Sequence, residues 1–122
     1  MTLANEVADL LDNAHLKHLN PIETFFGPIT NVPNKDKATA VVYEVRNVPI
    51  EFGSNTYVEN VQEIQLKVLY KYPSFDVDVF ENSITSLFIS NGWIKLPDSG
   101  HYPDNLENEP VMAIDLFFRR RK

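Results

Sequence analysis

The sequence predicts an α+β domain, in which two helices pack on an antiparallel or mixed β-sheet. The first observation is an alternation of apolar and polar residues over 61–72, which indicates a long central strand with one face in the core. The second is a pair of segments with apolar residues at helical spacing, one at the N-terminus and one after Pro73. The third is the order helix, strands, helix, strands, without a repeat or a linker, which predicts a single domain over residues 1–122.

The first helix is predicted from Thr2 to about His18. Thr2 can cap it, and Asn20-Pro21 stops it, because the residue before a proline is pushed out of the helical region. Its apolar stripe comprises Leu3, Val7, Leu10, Leu11 and Ala14. This stripe predicts a helix that covers one face of the sheet.

The second helix is predicted over residues 76–90. Ser74 or Asp76 can cap it, and Asn91-Gly92 ends it, since glycine adopts the left-handed conformation at low cost. Its stripe comprises Val77, Phe80, Ile84, Leu87 and Phe88. In the central strand the core set is Ile64, Leu66, Val68, Tyr70 and Tyr72, with Leu69 the apolar exception among the alternate positions.

Shorter strands are predicted at residues 23–26, 38–45, 93–96 and 111–119. Asn47-Val48-Pro49 should end the second of these, and residues 97–110 form a polar loop rich in turn-forming residues. The last strand is apolar on both faces, as expected for a strand that is covered on both sides or completed by a neighbour.

Residues 50–60 leave two readings open. The segment is either a two-stranded excursion around Gly53-Ser54-Asn55 or a long loop. Phe52 and Tyr57 lie on it, and on an extended arm they would offer apolar groups to a partner. Equally, they can fold back on the core.

The charge is unevenly distributed along the chain. The net charge is −6, and residues 119–122 hold four of the eleven basic residues, so that the rest of the chain holds seven against 17 acidic residues. An acidic body argues against general binding to duplex DNA. The basic end, with Arg119, Arg120 and Arg121, is either a contact for phosphate or an acidic partner, or a solubilising end to a hydrophobic strand.

Catalytic and metal-binding patterns are weak, and we predict neither an enzyme nor a cofactor. His15 and His18 near Asp12 have the spacing of ligands on one helical face, and Asp98, His101 and Asp104 share a loop. Such residues are more often surface and turn residues than ligands. The chain has no cysteine, no run of 18 apolar residues and no basic leader, so neither a thiolate site nor a membrane span nor a signal peptide is predicted.

Several segments together resemble a family of phage and prophage proteins from long-tailed phages of Gram-positive bacteria. They are the helix LANEVADLL, the strands VVYEV and NVQEIQLKVLYKY, the helix end SNGW, and the closing strand with its basic end. The family is that of tail terminator, or tail completion and head–tail joining, proteins, and the resemblance covers nearly the whole chain.

The resemblance implies a non-catalytic virion protein that forms a ring, typically a hexamer, at the head-proximal end of the tail. It would be assembled in the host cytoplasm, cap the tube of major tail protein, meet a head-completion protein, and touch DNA only as passing cargo. The partner contacts we expect are Phe52, Tyr57, Arg119, Arg120 and Arg121. Alternatives are a head-completion or minor capsid protein at the same junction, or a small ligand-binding α+β domain.

Overall fold

The predicted α+β architecture is confirmed, with two helices and a six-stranded mixed sheet. The computed structural model describes residues 2–24, 29–51 and 58–121, so Phe52 and Tyr57 lie outside the described residues. The elements are α1 (Leu3–Ala14), β1 (Glu23–Thr24), β2 (Thr39–Glu51), β3 (Val58–Tyr70), α2 (Val77–Ser90), β4 (Ile94–Lys95), β5 (Tyr102–Leu106) and β6 (Glu109–Arg121). No helix in these ranges is long and apolar enough to cross a membrane.

The sheet has the order β1-β2-β3-β6-β4, and β5 pairs with β6. Among the described strands, β1 and β2 are the one parallel pair, and the other neighbouring strands are antiparallel. β4 and β5 share the outer edge of β6, with β4 next to its basic end and β5 next to its first half. The strand predicted at the centre, β3, does lie between β2 and β6.

Both helices cover the face of the sheet to which alternate residues of β3 point. Ile64, Leu66 and Val68 are fully buried there, and they share one core with alternate residues of β6 and with apolar residues of both helices, namely Leu3, Val7, Leu11, Phe80, Ile84 and Phe88. Leu10 and Ala14 of the predicted α1 stripe are only partly buried. Thr2 caps α1 and Asp76 caps α2 through side-chain hydrogen bonds to backbone N–H groups. Burial of these stripes, rather than helix propensity alone, holds such short helices in place.

A smaller apolar cluster lies on the opposite face of the sheet. Leu69, Val111 and Ala113 are buried there, and Ile29, Tyr102 and Leu106 pack against them. This cluster explains why Leu69 interrupts the polar positions of β3, and why β6 is apolar on both faces.

Several predicted boundaries were wrong. α1 ends at Ala14 rather than near His18, because His15 takes a left-handed conformation and closes the helix. Tyr72 is 77% exposed, since β3 ends at Tyr70 and the chain bends away from the core. The predicted strand over residues 23–26 is observed at Glu23–Thr24, and the segment beyond it lies outside the described residues.

The predictions for the end of β2 and for residues 97–110 were also wrong. Asn47-Val48-Pro49 does not end β2, which continues to Glu51 and pairs with Val58 of β3. The described ends of residues 50–60 are therefore strands, as in the two-stranded reading. Pro49 is tolerated because only β3 pairs with this part of β2 among the described strands. The polar loop predicted over residues 97–110 contains β5, whose sequence Tyr-Pro-Asp-Asn-Leu has a low strand propensity. Among the described strands, β5 pairs with β6 alone.

Glu23 holds the segment that follows β1. One carboxylate oxygen, Oε1, accepts hydrogen bonds from the backbone N–H groups and the side chains of Thr30 and Asn31, at 2.9–3.0 Å. Burial alone would raise the pKa of this carboxyl, but the hydrogen bonds from Asn31 and Thr30 together lower the pKa below its ordinary value.

We therefore expect Glu23 to contribute to stability above its unfolded-state pKa of about 4.3, and this contribution to disappear as the pH falls through the lower folded-state pKa. In Glu23→Gln the free energy of unfolding should consequently fall less steeply than in the wild type on acidification below about pH 4. Urea titrations at a series of acidic pH values measure this. Glu44→Gln, at an exposed position, is the matched control; equal pH dependence of the Glu23 variant and the wild type would contradict the prediction.

The turn between β5 and β6 carries a strained residue. Glu107 and Asn108 both have positive φ, 51° and 67°, as in a two-residue type I′ hairpin turn. Asparagine tolerates this conformation better than glutamate does. We expect Glu107→Asn to raise the free energy of unfolding by about 0.5–1 kcal/mol, measured by urea unfolding. Glu107→Gln removes the same charge but keeps the strain, and a similar gain in that variant would show that charge, not conformation, is responsible.

Candidate interaction site

The basic end of β6 is split between the two faces of the sheet. Successive side chains of a strand point to opposite sides, so Arg119 and Arg121 lie on the face away from the helices and Arg120 on the helix-covered face. Arg119 pairs with Glu63 of β3, and Arg121 with Val61. The three arginines that the sequence presents as one cluster therefore have different surroundings.

A β-bulge in β2 brings a fourth arginine to the same place. The register of β2 against β3 shifts between Glu44 and Arg46, so Val45 is the extra residue and Arg46 comes to lie opposite Glu63. Arg46, Glu63 and Arg119 consequently form one row across three strands. The groove that results has a volume of about 520 Å³ and is lined by Arg46, Val48, Val61, Gly92, Ile94, Arg119, Arg120 and Arg121. We call it the arginine groove.

Arg120 is bound within the subunit. Its guanidinium lies over the Trp93 ring, with Cζ 4.3 Å from the ring centroid. Nε donates a hydrogen bond to Oε1 of Gln62 and an Nη donates to Oε1 of Glu6, both at 2.7 Å. Arg120 thus ties β6 to β3, to α1 and to Trp93 in the segment between α2 and β4, and its side chain is only 13% exposed.

Arg119 and Arg121 are exposed, as is Arg46. Within the described part of the chain none of the three takes part in an ion pair. Val48 and Ile94 add exposed apolar surface to the groove. Because a guanidinium presents planar N–H forks, such a groove can bind carboxylate or phosphate groups above an apolar floor.

The predicted contact residues therefore do not form one site. Arg119, Arg120 and Arg121 all line the groove, but Arg120 is bound within the subunit. Phe52 and Tyr57 fall outside the described residues. Sequence reasoning missed Arg46, because it ended β2 before Pro49. No local signal marks the bulge that sets the direction of Arg46.

A second concave surface lies at the other end of the sheet. This cleft has a volume of about 440 Å³ and is lined by Tyr70, Lys71, Tyr72, Pro73, His101, Tyr102, Pro103, Pro110, Val111 and Met112. At its wall, the Tyr70 hydroxyl and His101 Nε2 both bond to Oε2 of Glu81, at 2.6 and 2.7 Å. Burial, together with the hydrogen bond to Glu81, raises the pKa of the Tyr70 hydroxyl. Tyr70 and His101 thus share one carboxylate acceptor at the wall of the cleft.

The weak metal-site candidates do not converge. His18 Nδ1 bonds to the Asp36 carbonyl oxygen at 2.9 Å, and its ring stacks on Phe75. Of the loop residues, Asp98 contacts Lys95 and Asp104 contacts Lys67, whereas His101 contacts Glu81. Among the residues that the structure describes, no three histidine or acidic side chains are grouped as a metal site would require.

Comparison with models of known protein families gives no match, and a search of curated proteins finds no sequence that is significantly similar.

Proposed function

We propose that this chain is a structural, non-catalytic subunit of a phage tail, a tail terminator that forms a homo-oligomeric ring and joins the tail tube to the head. The sequence resemblance supplies the hypothesis. The observation that supports it best in the structure is the β2–β3 arm, which consists of residues 48–51 and 58–61 and begins at the Val48–Val61 pair.

The arm extends past the body of the sheet. β6 ends at Arg121, which pairs with Val61, so the pairs from Pro49–Asn60 to Glu51–Val58 have no third strand among the described residues. A two-stranded ribbon is marginally stable alone in water. Val45 and Val48 are also half exposed near the base of the arm. Both features are typical of a segment that another subunit covers.

The charge distribution fits the same function. A net charge of −6 suits a channel wall along which DNA must pass without binding. In this role DNA is only cargo, and the lasting partners are other copies of the chain, the major tail protein and a head-completion protein. The place of action is the head-proximal end of the tail.

Addition of the purified chain to tail tubes assembled from the major tail protein alone tests this function. We expect one ring at one end of each tube in negative-stain images, and tubes that no longer elongate when more subunits are added. Val48→Asp should abolish ring binding without unfolding the protein, whereas Val32→Asp, at a similarly exposed loop position, should leave it intact. Tubes that elongate unchanged in the presence of the wild type would contradict the proposal.

The alternative at the same junction, a head-completion or minor capsid protein, would bind to DNA-filled heads rather than to naked tubes. A ligand-binding domain is the alternative from another class, and the cleft beside Tyr72 is the observation that favours it. Such clefts are typical small-molecule sites when they are largely apolar and contain a few polar groups. Saturable binding of a small molecule there, with a chain that never assembles, would favour that alternative.

A further inference from the structure

Strand β6 has opposite charges at its two ends. Glu107 and Glu109 lie at the turn where β6 begins, and the arginine groove lies where it ends. Thirteen residues of strand separate the two ends, a distance of about 40 Å at the usual rise of a β-strand. One subunit cannot bring its own acidic turn to its own groove across this distance.

The acidic turn presents two exposed glutamate side chains. Glu107 is exposed and takes part in no ion pair within the described part of the chain. Glu109 contacts Lys71 at 3.3 Å, but its side chain remains 64% exposed. Asp104, the other acid of this hairpin, is held by Lys67 at 2.7 Å and points to the body of the sheet.

We propose that the arginine groove of one subunit binds the acidic β5–β6 turn of a second copy, with Glu107 and Glu109 opposite Arg119, Arg121 and Arg46. This inference rests on the proposed function, since it names the contact by which the ring would form. Charge complementarity identifies the occupant, because every copy brings one acidic turn for each groove. Guanidinium groups bind carboxylates through two parallel hydrogen bonds, which fixes orientation as well as affinity.

A nucleic acid is the less suitable occupant. The groove has three exposed arginines, and Glu63 lies between two of them. The affinity for a phosphate backbone grows with the number of phosphates that are neutralised. Two or three such contacts therefore give only weak binding at physiological salt. The net charge of −6 adds repulsion of a polyanion at a distance.

The geometry also determines the kind of assembly. Turn and groove are different surfaces, so the contact is head-to-tail and each subunit uses both of its ends. Repetition of one such contact gives a closed ring where the rotation between subunits closes, and a filament where it does not. The acidic turn and the arginine groove thus supply two complementary surfaces, as a cyclic ring needs.

A charge exchange between the two surfaces tests the inference. The turn variant carries Glu107→Lys and Glu109→Lys, and the groove variant carries Arg119→Glu and Arg121→Glu. We expect each variant alone to self-associate about a hundredfold more weakly than the wild type, since like charges then face each other. A mixture of the two should assemble again, because turn lysines meet groove glutamates and wild-type turns meet wild-type grooves alternately around the ring.

The matched control is the variant Lys35→Glu, Lys37→Glu, which makes the same charge change as the groove variant at exposed positions outside both surfaces. It should assemble as the wild type does. Mass is measured by light scattering, free in solution and on tail tubes, and thermal unfolding verifies that every variant is folded.

The outcomes separate the two proposals. If the wild type assembles and the turn and groove variants assemble equally well, the charge contact is wrong and the ring stands. The inference is also overturned if the groove variant assembles normally but loses binding to a short DNA duplex that the wild type binds. A wild type that stays monomeric in solution and on tail tubes overturns the proposed function together with the contact.

Discussion

Replacement of Phe118 by alanine is expected to lower the free energy of unfolding by about 3–5 kcal/mol. Phe118 is fully buried, and its ring stacks on that of Phe88 with centroids 4.1 Å apart and planes 5° from parallel. The pair joins β6 to α2 at the centre of the main core, where neighbouring side chains cannot move in to fill the space that truncation leaves. Urea unfolding followed by circular dichroism measures the loss.

Phe117→Ala is the matched control for this prediction. The neighbouring phenylalanine points to the opposite face of the sheet and is only partly buried, so its truncation should cost about half as much or less. Equal losses in the two variants would show that the helix-covered face is not the main core.

Replacement of Arg120 by alanine is expected to cost about 2–3 kcal/mol, because the buried Gln62 then loses a charge-assisted hydrogen bond and Glu6 loses its ion pair. The stacking on Trp93 is lost as well. Arg120→Lys keeps the charge but not the planar fork or the stack, and should have an intermediate stability. Thermal and urea unfolding of the three proteins measure the series.

Arg119→Ala is the matched control, because it tests whether an exposed arginine of the groove contributes to the stability of the fold. Arg119 is exposed and has no ion pair within the described residues, so its loss should change stability by less than about 0.5 kcal/mol. A larger loss from Arg119→Ala than from Arg120→Ala would contradict the assignment of Arg120 as the arginine that holds the fold.

The elements that the sequence predicts correctly are those with strong local signals. α2 shows a cap, an apolar stripe and a C-terminal glycine, and its observed start and end agree with the prediction within a residue. β3 shows the alternation of a strand with one buried face, and its alternate residues from Ile64 to Tyr70 are buried as expected. In both cases local preference and tertiary packing favour the same structure.

The features that sequence reasoning missed depend on a partner strand. β5 has a sequence typical of a turn, and it is a strand only because β6 offers it an edge. Pro49 lies inside β2 because that side of the strand has no described neighbour that would need its N–H group. Neither relation is visible in a local window of sequence.

In the candidate site, too, some features have a local sequence signal and others depend on strand pairing. The basic end of the chain identifies Arg119, Arg120 and Arg121 as candidates, but the predicted strand ended at Arg119. Because β6 continues to Arg121, the alternation of side chains places Arg120 on the other face. Arg46 is more than seventy residues away in the sequence, and one extra residue in β2 places it in the groove. The prediction for Phe52 and Tyr57 concerns residues beyond those described and stays a prediction.

The most direct measurement is the absolute mass of the chain by light scattering over a range of concentrations, with negative-stain images after addition of naked tail tubes. We expect the wild type to form a closed ring, in solution or with the tube as template, and this ring to lie at one end of the tube. The groove variant should form no such ring. A chain that remains monomeric under both conditions, and leaves the tube ends bare, would contradict its proposed role in the tail.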